Sequence, residues 1–171
     1  SSLKFQLYEM PEEKVLISGL MERIGVGNSF YTIKVNGEKI KKEVELNNHE
    51  EAFETLVKEL EENNVVESLD EIEGIGHRVV QGGDYFDKTV VIDDEVLAKI
   101  DELSSLAPLH NPAAVTGIKA AKDVFPNAVQ TAVFDTAFHQ TMPKENFLYA
   151  LPISWYTDLK VRRYGAHGTS H

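Results

Sequence analysis

Arg78 stands inside an otherwise apolar run, "GIGHRVV" at residues 74–80, and is followed closely by Gly82-Gly83. A guanidinium in such a strand must be paired or must face a cavity, because an unpaired buried charge is very costly. The glycine pair lets the backbone approach a ligand, and open α/β sheets bind ligands beyond the carboxyl ends of their strands. Arg78 is therefore an anion-binding candidate, with a structural ion pair as the plainer alternative. Asp135 follows the apolar Ala132-Val133-Phe134 and emerges at a similar strand edge, as a site residue or as the cap of the next turn. His139, in the same "FDTAFHQTMP" segment, reads as a packed loop histidine.

His110 precedes a helix start at Asn111-Pro112, where unpaired N–H groups favour anions, unless it is simply a turn residue. His167 and His171 have the spacing of metal ligands on one helical face, within "HGTSH". Gly168 and the lack of an intervening glutamate argue instead for a turn that faces a phosphate. A metal-dependent hydrolase with His110, Asp135, His167 and His171 as ligands is the rival chemistry.

The elements that must position these residues are readable in outline. "SSLKFQLY" alternates Leu3, Phe5 and Leu7 with Ser2, Lys4 and Gln6, the period of a half-buried strand. Asn36-Gly37 separates two alternating runs, a hairpin signal, so the first third is mostly antiparallel strands. Asn48 with Glu51 opens a helix whose apolar stripe is Ala52, Phe53, Leu56, Val57 and Leu60. A second helix spans about residues 93–106, with Val96, Leu97, Ile100 and Leu103 inward, and a third starts with Asn111 as cap and Pro112 at its first position. The runs "GIGHRVV" and "AVQTAVFD" read as buried strands. Strands first, then strand alternating with helix, indicate an α/β domain with a mixed sheet.

Composition narrows the function classes. With 171 residues, 42% apolar and 26% charged, the chain has the makings of one compact domain. A formal charge of -11 argues against a nucleic-acid or anionic-membrane surface. No cysteine is present, which excludes disulfides and thiolate metal sites, and no apolar stretch approaches the roughly 20 residues of a bilayer span. The opening residues lack an initiator Met and a signal-peptide core, so the chain reads as the interior of a longer one.

Taken in order, "SSLKF", "GHRVVQGGD", "LAPLHNPA", "VFDTAFHQTMP", "YALP" and "RRYGAHGTSH" resemble the motif series of the acetokinase (acetate kinase) family across the whole chain. The resemblance implies a ribonuclease-H-like α/β domain of the actin, sugar-kinase and acetate-kinase superfamily. It implies a single amino-terminal acyl-substrate domain over residues 1–171, cut at both ends, with the carboxy-terminal nucleotide-binding domain absent and the isolated piece inactive. The implied reaction is reversible Mg²⁺-dependent phosphoryl transfer from ATP to acetate, giving acetyl phosphate and ADP, with propionate kinase as the alternative. Lys4 and Ser2 match the loop facing the nucleotide phosphates, and Arg78 matches the arginine that binds the acyl substrate. Asp135 matches the active-site aspartate and His167 the histidine that stabilises the transferring phosphoryl group. Val80, Leu109 and His110 match the acyl pocket wall, while the Mg²⁺ ligands are expected outside these residues.

The partners so implied are a small carboxylic acid and a nucleotide, with neither nucleic acid nor membrane, in a cytoplasmic homodimer. Two motifs depart from the family pattern. Ala166 stands where many members carry Phe, which widens the acyl site, and Gln81 and Asp84 stand where many carry His and Glu.

Overall fold

The computed structural model describes all residues, Ser1–His171. In chain order the elements are β1 (Leu3–Glu9), β2 (Lys14–Glu22), β3 (Phe30–Val35), β4 (Glu38–Glu43), α1 (His49–Glu62), β5 (Gly74–Val79), β6 (Val90–Val91), α2 (Asp94–Glu102), α3 (Asn111–Val124), β7 (Val129–Phe134), α4 (Lys144–Phe147) and α5 (Ile153–Leu159). They fall into two compact units, residues 1–73 with 116–128, and residues 74–115 with 129–171.

The first unit is built on an antiparallel meander, β1-β2-β3-β4. Leu3, Phe5 and Leu7 are half-buried while Lys4 and Gln6 are exposed, as the alternation requires. Phe5 lies opposite Gly19 in register, and a Cβ added at Gly19 would come within 2.4 Å of the Phe5 ring. The glycine in β2 is thus the space that the Phe5 side chain fills. Asn36 and Gly37 both take positive φ, 53° and 76°, as a tight hairpin between β3 and β4 demands. The Asn48 side chain accepts from the Glu51 N–H at 2.8 Å, and the Glu51 carboxylate reaches back to the Asn47 N–H at 2.7 Å, so α1 starts where its capping pattern indicates.

One buried position on α1 was not anticipated. Glu59 shares the inward face with Ala52, Phe53, Leu56 and Leu60, and its side chain is 2% exposed. It accepts from Lys42 Nζ at 2.8 Å, from Asn63 Nδ2 at 3.0 Å and from the Tyr31 hydroxyl. Lys42 pairs with Tyr31 in register, so both project toward the helix from neighbouring strands. Burial works to raise the Glu59 pKa, but the Lys42 and Tyr31 hydrogen bonds outweigh it and hold the carboxyl below its ordinary range. Burial and the same carboxylate push the Tyr31 phenol up.

Replacing Glu59 by Ala is expected to cost about 2 kcal/mol, because it strands the buried Tyr31 hydroxyl, while Lys42, 42% exposed, turns to water. A depressed folded pKa contributes stability that is present above the unfolded carboxylate value and is lost as pH falls through the folded one. Urea unfolding should therefore show a clear gap between the two proteins at pH 7 that narrows toward pH 3. A gap of the same size at both would contradict an ionised Glu59.

The second unit holds a mixed sheet in the order β5-β7-β6, with β5 parallel and β6 antiparallel to the central β7. The α/β class with a mixed sheet flanked by helices is the one expected. One expectation needs correction: the two apolar runs are half-buried and not buried. Val79, Gln130, Ala132 and Phe134 face the core, while Gly76, Arg78, Val129 and Val133 lie on the outward face and are exposed. The inward face is closed by Phe86, stacked on Phe134 with ring centroids 4.4 Å apart. Asp93 caps α2 through the Val96 N–H, and α2 ends at Glu102 in a short 3₁₀ turn over Leu103–Ser105, slightly before the expected boundary.

Asn111 also differs from its expected role as a side-chain cap of α3. Its amide is fully buried and is committed elsewhere: Oδ1 accepts from the Gln81 N–H at 3.1 Å, and Nδ2 donates to the Gln81 and Ile100 carbonyls at 3.0 and 3.2 Å. The residue ties the end of β5 to α2 and α3, a job that needs one donor group and one acceptor group on a short side chain.

Candidate functional site

The site forms where β5 and β7 end side by side. Val79 pairs with Phe134 in the last register position, and the Asp135 N–H continues the ladder to the Val79 carbonyl at 3.0 Å. Strand alternation puts Arg78, Val133 and Asp135 on the same outward face. There the Arg78 guanidinium grips the Asp135 carboxylate with two hydrogen bonds, Nε to Oδ1 at 3.0 Å and Nη2 to Oδ2 at 2.6 Å. The pair spans 57 positions of sequence, and both readings of Arg78, ion pair and anion site, turn out to be compatible. Asp135 is 2% exposed whereas the Arg78 side chain is 61% exposed. A guanidinium has five N–H donors, so a fork that uses two of them leaves three for another oxyanion. The Asp135 hydrogen bonds, set against partial burial, keep the Arg78 pKa above its ordinary value.

The turn after β5 is pinned from several sides. Asn111 holds the Gln81 backbone, the Gln81 side chain accepts from the Gly83 N–H at 2.8 Å, and the Gly82 N–H donates to Thr136 Oγ1 at 2.9 Å. Gly83 has φ of 59°, and a Cβ there would come within 2.6 Å of Leu103. The pair was expected to let a ligand approach the backbone; the cause visible at Gly83 is a different one. It is the left-handed backbone beside α2, together with the close approach to Leu103.

The final segment reaches the same place. Arg162 is buried against the Phe147 ring, 3.9 Å from its centroid, and the Arg163 N–H donates to the Phe147 carbonyl at 2.8 Å. Burial beside Asp84 pushes the Tyr164 phenol up to about 12. Gly165 lies on the His139 ring, where a Cβ would be 2.1 Å from Cγ, and His139 Nε2 contacts the Ala166 carbonyl at 2.9 Å. A carbonyl only accepts, so Nε2 carries the proton. Next, the Gly168 N–H donates to the Asp135 carbonyl at 2.8 Å and the Thr169 hydroxyl to Asp135 Oδ1 at 3.0 Å. His167 is exposed on this turn with φ of 60°.

Of the residues singled out in the sequence, the second unit brings Arg78, Asp135 and the His167 turn together. Val80 is half-buried just beyond β5, while Leu109 and His110 are exposed where α3 begins. Ser2 and Lys4 are exposed at the start of β1 and belong to the first unit. No three or more histidine, aspartate or glutamate side chains are placed to hold a metal ion, so the set His110, Asp135, His167 and His171 does not form a ligand sphere. His171 packs instead beside the rings of Phe138 and His139. Sequence reasoning missed Thr169 and Asn111 as site-builders and read His139 only as packed. Their partners lie in distant segments, and the Gly-rich turn around Thr169 was the one local signal.

Comparison with known proteins places the whole chain among kinases. The chain is 60% identical over 171 residues to the acetate kinase of Bacillus mycoides (strain KBAB4) and 54% identical to that of Macrococcus caseolyticus (strain JCSC5402). Each match covers all of this chain and 43% of the relative, so the chain spans less than half the length of these relatives. Among solved structures, Porphyromonas gingivalis acetate kinase superposes with a TM-score of 0.93 at 44% identity, and a propionate kinase from Francisella tularensis with 0.92 at 45%. Both cover all of this chain and 44% of the solved one. The α/β fold expected from the motifs is thus the fold of these kinases. The acetokinase family model matches residues 1–171 in full, and the chain belongs to that family.

Proposed function

We propose that the full-length protein is an acetate kinase that transfers a phosphoryl group reversibly from ATP to acetate, giving acetyl phosphate and ADP. The observation that carries this reading is the Arg78–Asp135 fork, with spare donors exposed beside the turn that presents His167. Phosphoryl transfer needs alignment and charge neutralisation more than covalent help. Arg78 holds the acceptor carboxylate through its free N–H groups. Acetate, with a pKa of about 4, is already ionised at neutral pH, so no base is required to create the nucleophile. Asp135, whose two oxygens already accept from Arg78 and Thr169, orients the guanidinium. His167 donates to a phosphoryl oxygen as charge shifts in the transition state.

Val80, Leu109 and His110 form the acyl pocket wall. Lys4 and Ser2 face the nucleotide phosphates, an assignment resting on their motif. Residues 1–171 constitute the acyl-substrate domain, and the nucleotide-binding domain lies in the further length that the relatives possess. Mg²⁺, when bound, neutralises phosphate charge. The residues of this chain supply no ligand cluster for it. No helix is long and apolar enough to cross a membrane. We place the enzyme in the cytoplasm, as a homodimer.

Ala166 favours a second reading, propionate as acceptor, because a methyl stands where many family members carry an aromatic ring. One methylene is worth about 1–3 kcal/mol of discrimination in an apolar pocket. The kcat/KM values of the full-length enzyme on acetate, propionate and butyrate test both readings. Acetate is expected to lead propionate by roughly tenfold. Propionate equal to or above acetate would establish the second reading, and no phosphorylation of any of the three would end both.

A further inference from the structure

We propose that Thr169 is a positioning residue, one that fixes the Asp135 carboxylate, through it the donor face of Arg78, and ties this pair to the turn carrying His167. The inference rests on the function proposed above. Asp135 Oδ1 receives two donors from opposite sides of the sequence, Arg78 Nε and the Thr169 hydroxyl, each at 3.0 Å. A carboxylate held by one guanidinium can still rock about χ2, a broad torsion without sharp staggered wells. A second donor from a separate segment stops that rotation. Because the fork to Arg78 is bidentate, the plane of the carboxylate sets the plane of the guanidinium. The carboxylate is 2% exposed while Thr169 lies on the exposed turn, so a side chain of the same shape is needed to keep water from taking the place of the hydroxyl.

The same contact reaches His167 through the turn. The Gly168 N–H donates to the Asp135 carbonyl at 2.8 Å, and a Cβ at Gly168 would lie 2.4 Å from that oxygen, so only glycine permits this approach. One main-chain tie places the turn, and the Thr169 tie prevents it from pivoting. His167 sits immediately before them with φ of 60°, a left-handed conformation that a residue with a Cβ does not hold unaided. Losing the Thr169 hydroxyl should therefore disturb two things together. Arg78 loses its aim, which raises KM for the carboxylic acid, and His167 loses its fixed place, which lowers kcat.

Valine matches threonine in shape without the hydroxyl, and serine keeps the hydroxyl without the methyl. In the full-length enzyme, T169V is expected to lower kcat/KM for acetate by roughly thirtyfold while leaving KM for ATP within about twofold, and T169S is expected to stay within about threefold of wild type. In a D135N background the further loss from T169V should shrink below about threefold, since coupled partners are not additive. T169V within threefold of wild type would overturn the proposal, as would equal impairment of T169V and T169S with equal losses of Tm. Should T169V fail to fold, T169A against T169S reads the same ratio, and T169A at wild-type activity overturns it. Arg78→Lys separates the two levels of inference. If it leaves acetate use unchanged, Arg78 does not hold the acceptor and Thr169 has nothing to position; if the wild-type enzyme phosphorylates no carboxylic acid, the function itself is misassigned. If it impairs acetate use while T169V does not, the assignment to Thr169 alone is wrong.

Discussion

Replacing His167 by alanine in the full-length enzyme is expected to lower kcat by about a hundredfold, with KM for acetate and for ATP changed by no more than about threefold. Removing one preorganised donor from a developing oxyanion typically costs about 2.7–4 kcal/mol, and each 1.4 kcal/mol is about tenfold in rate. His167 has the setting of such a donor. It is exposed on a turn closed by the Ser170 N–H and His171 N–H to its own carbonyl, at 3.0 and 3.2 Å, and that turn is fastened to Asp135. A contact made only in the transition state appears in kcat and leaves ground-state binding alone. Steady-state kinetics with both substrates varied checks this. A kcat within about twofold of wild type, roughly 0.4 kcal/mol, would remove His167 from the chemistry.

Arg78→Ala is expected to divide its effect differently. KM for the carboxylic acid should rise by roughly thirtyfold, the equivalent of one charge-assisted hydrogen-bonded contact of about 2 kcal/mol. The fall in kcat should be smaller, because in the proposed mechanism Arg78 would hold the carboxylate in the ground state as well as in the transition state. A second consequence follows from burial. Asp135 is 2% exposed and loses its only cationic partner, and breaking a buried pair by removing one member typically costs 3–5 kcal/mol. Arg78 is 61% exposed, so water reaches the vacated side and the loss should be nearer about 2 kcal/mol. The double variant with Asp135→Asn should regain much of that stability without regaining acetate affinity. If the double variant were no more stable than Arg78→Ala, the Asp135 carboxylate would not be left unsatisfied by loss of the guanidinium. If acetate KM stayed unchanged in Arg78→Ala, the acceptor would be held elsewhere.

Local pattern carried much of the fold. The alternation in β1, the Asn36-Gly37 turn, the Asn48 cap and the extended conformation of the two apolar runs are short-range consequences of side-chain period and backbone preference, and the structure has them where the residues indicate. The order of the motifs along the chain likewise carried the family. What local pattern does not hold is which segment lies beside which. Glu59 looks like a solvent-facing charge on α1 until Lys42 and Tyr31 are seen to point at it from neighbouring strands. Asn111 carries the marks of a cap, yet its amide serves Gln81, because the β5 turn and the α3 start converge.

The division is sharpest in the site. Residue type alone marked Arg78, Asp135 and His167 as candidates, since a guanidinium in a strand, a carboxylate at a strand end and a histidine on a glycine turn each need an explanation. Their connection is tertiary. The parallel register of β5 and β7 sets Arg78 opposite Val133, two residues before Asp135 and on the same face, and the last turn folds back so that Thr169 meets the same carboxylate. Hydrogen bonds between residues 57 and 34 positions apart depend on loop closure and packing of everything between them, which no spacing along the chain encodes. The sequence by itself determined which chemistry is available to this protein; the tertiary structure decided which of its groups are held still enough to perform it.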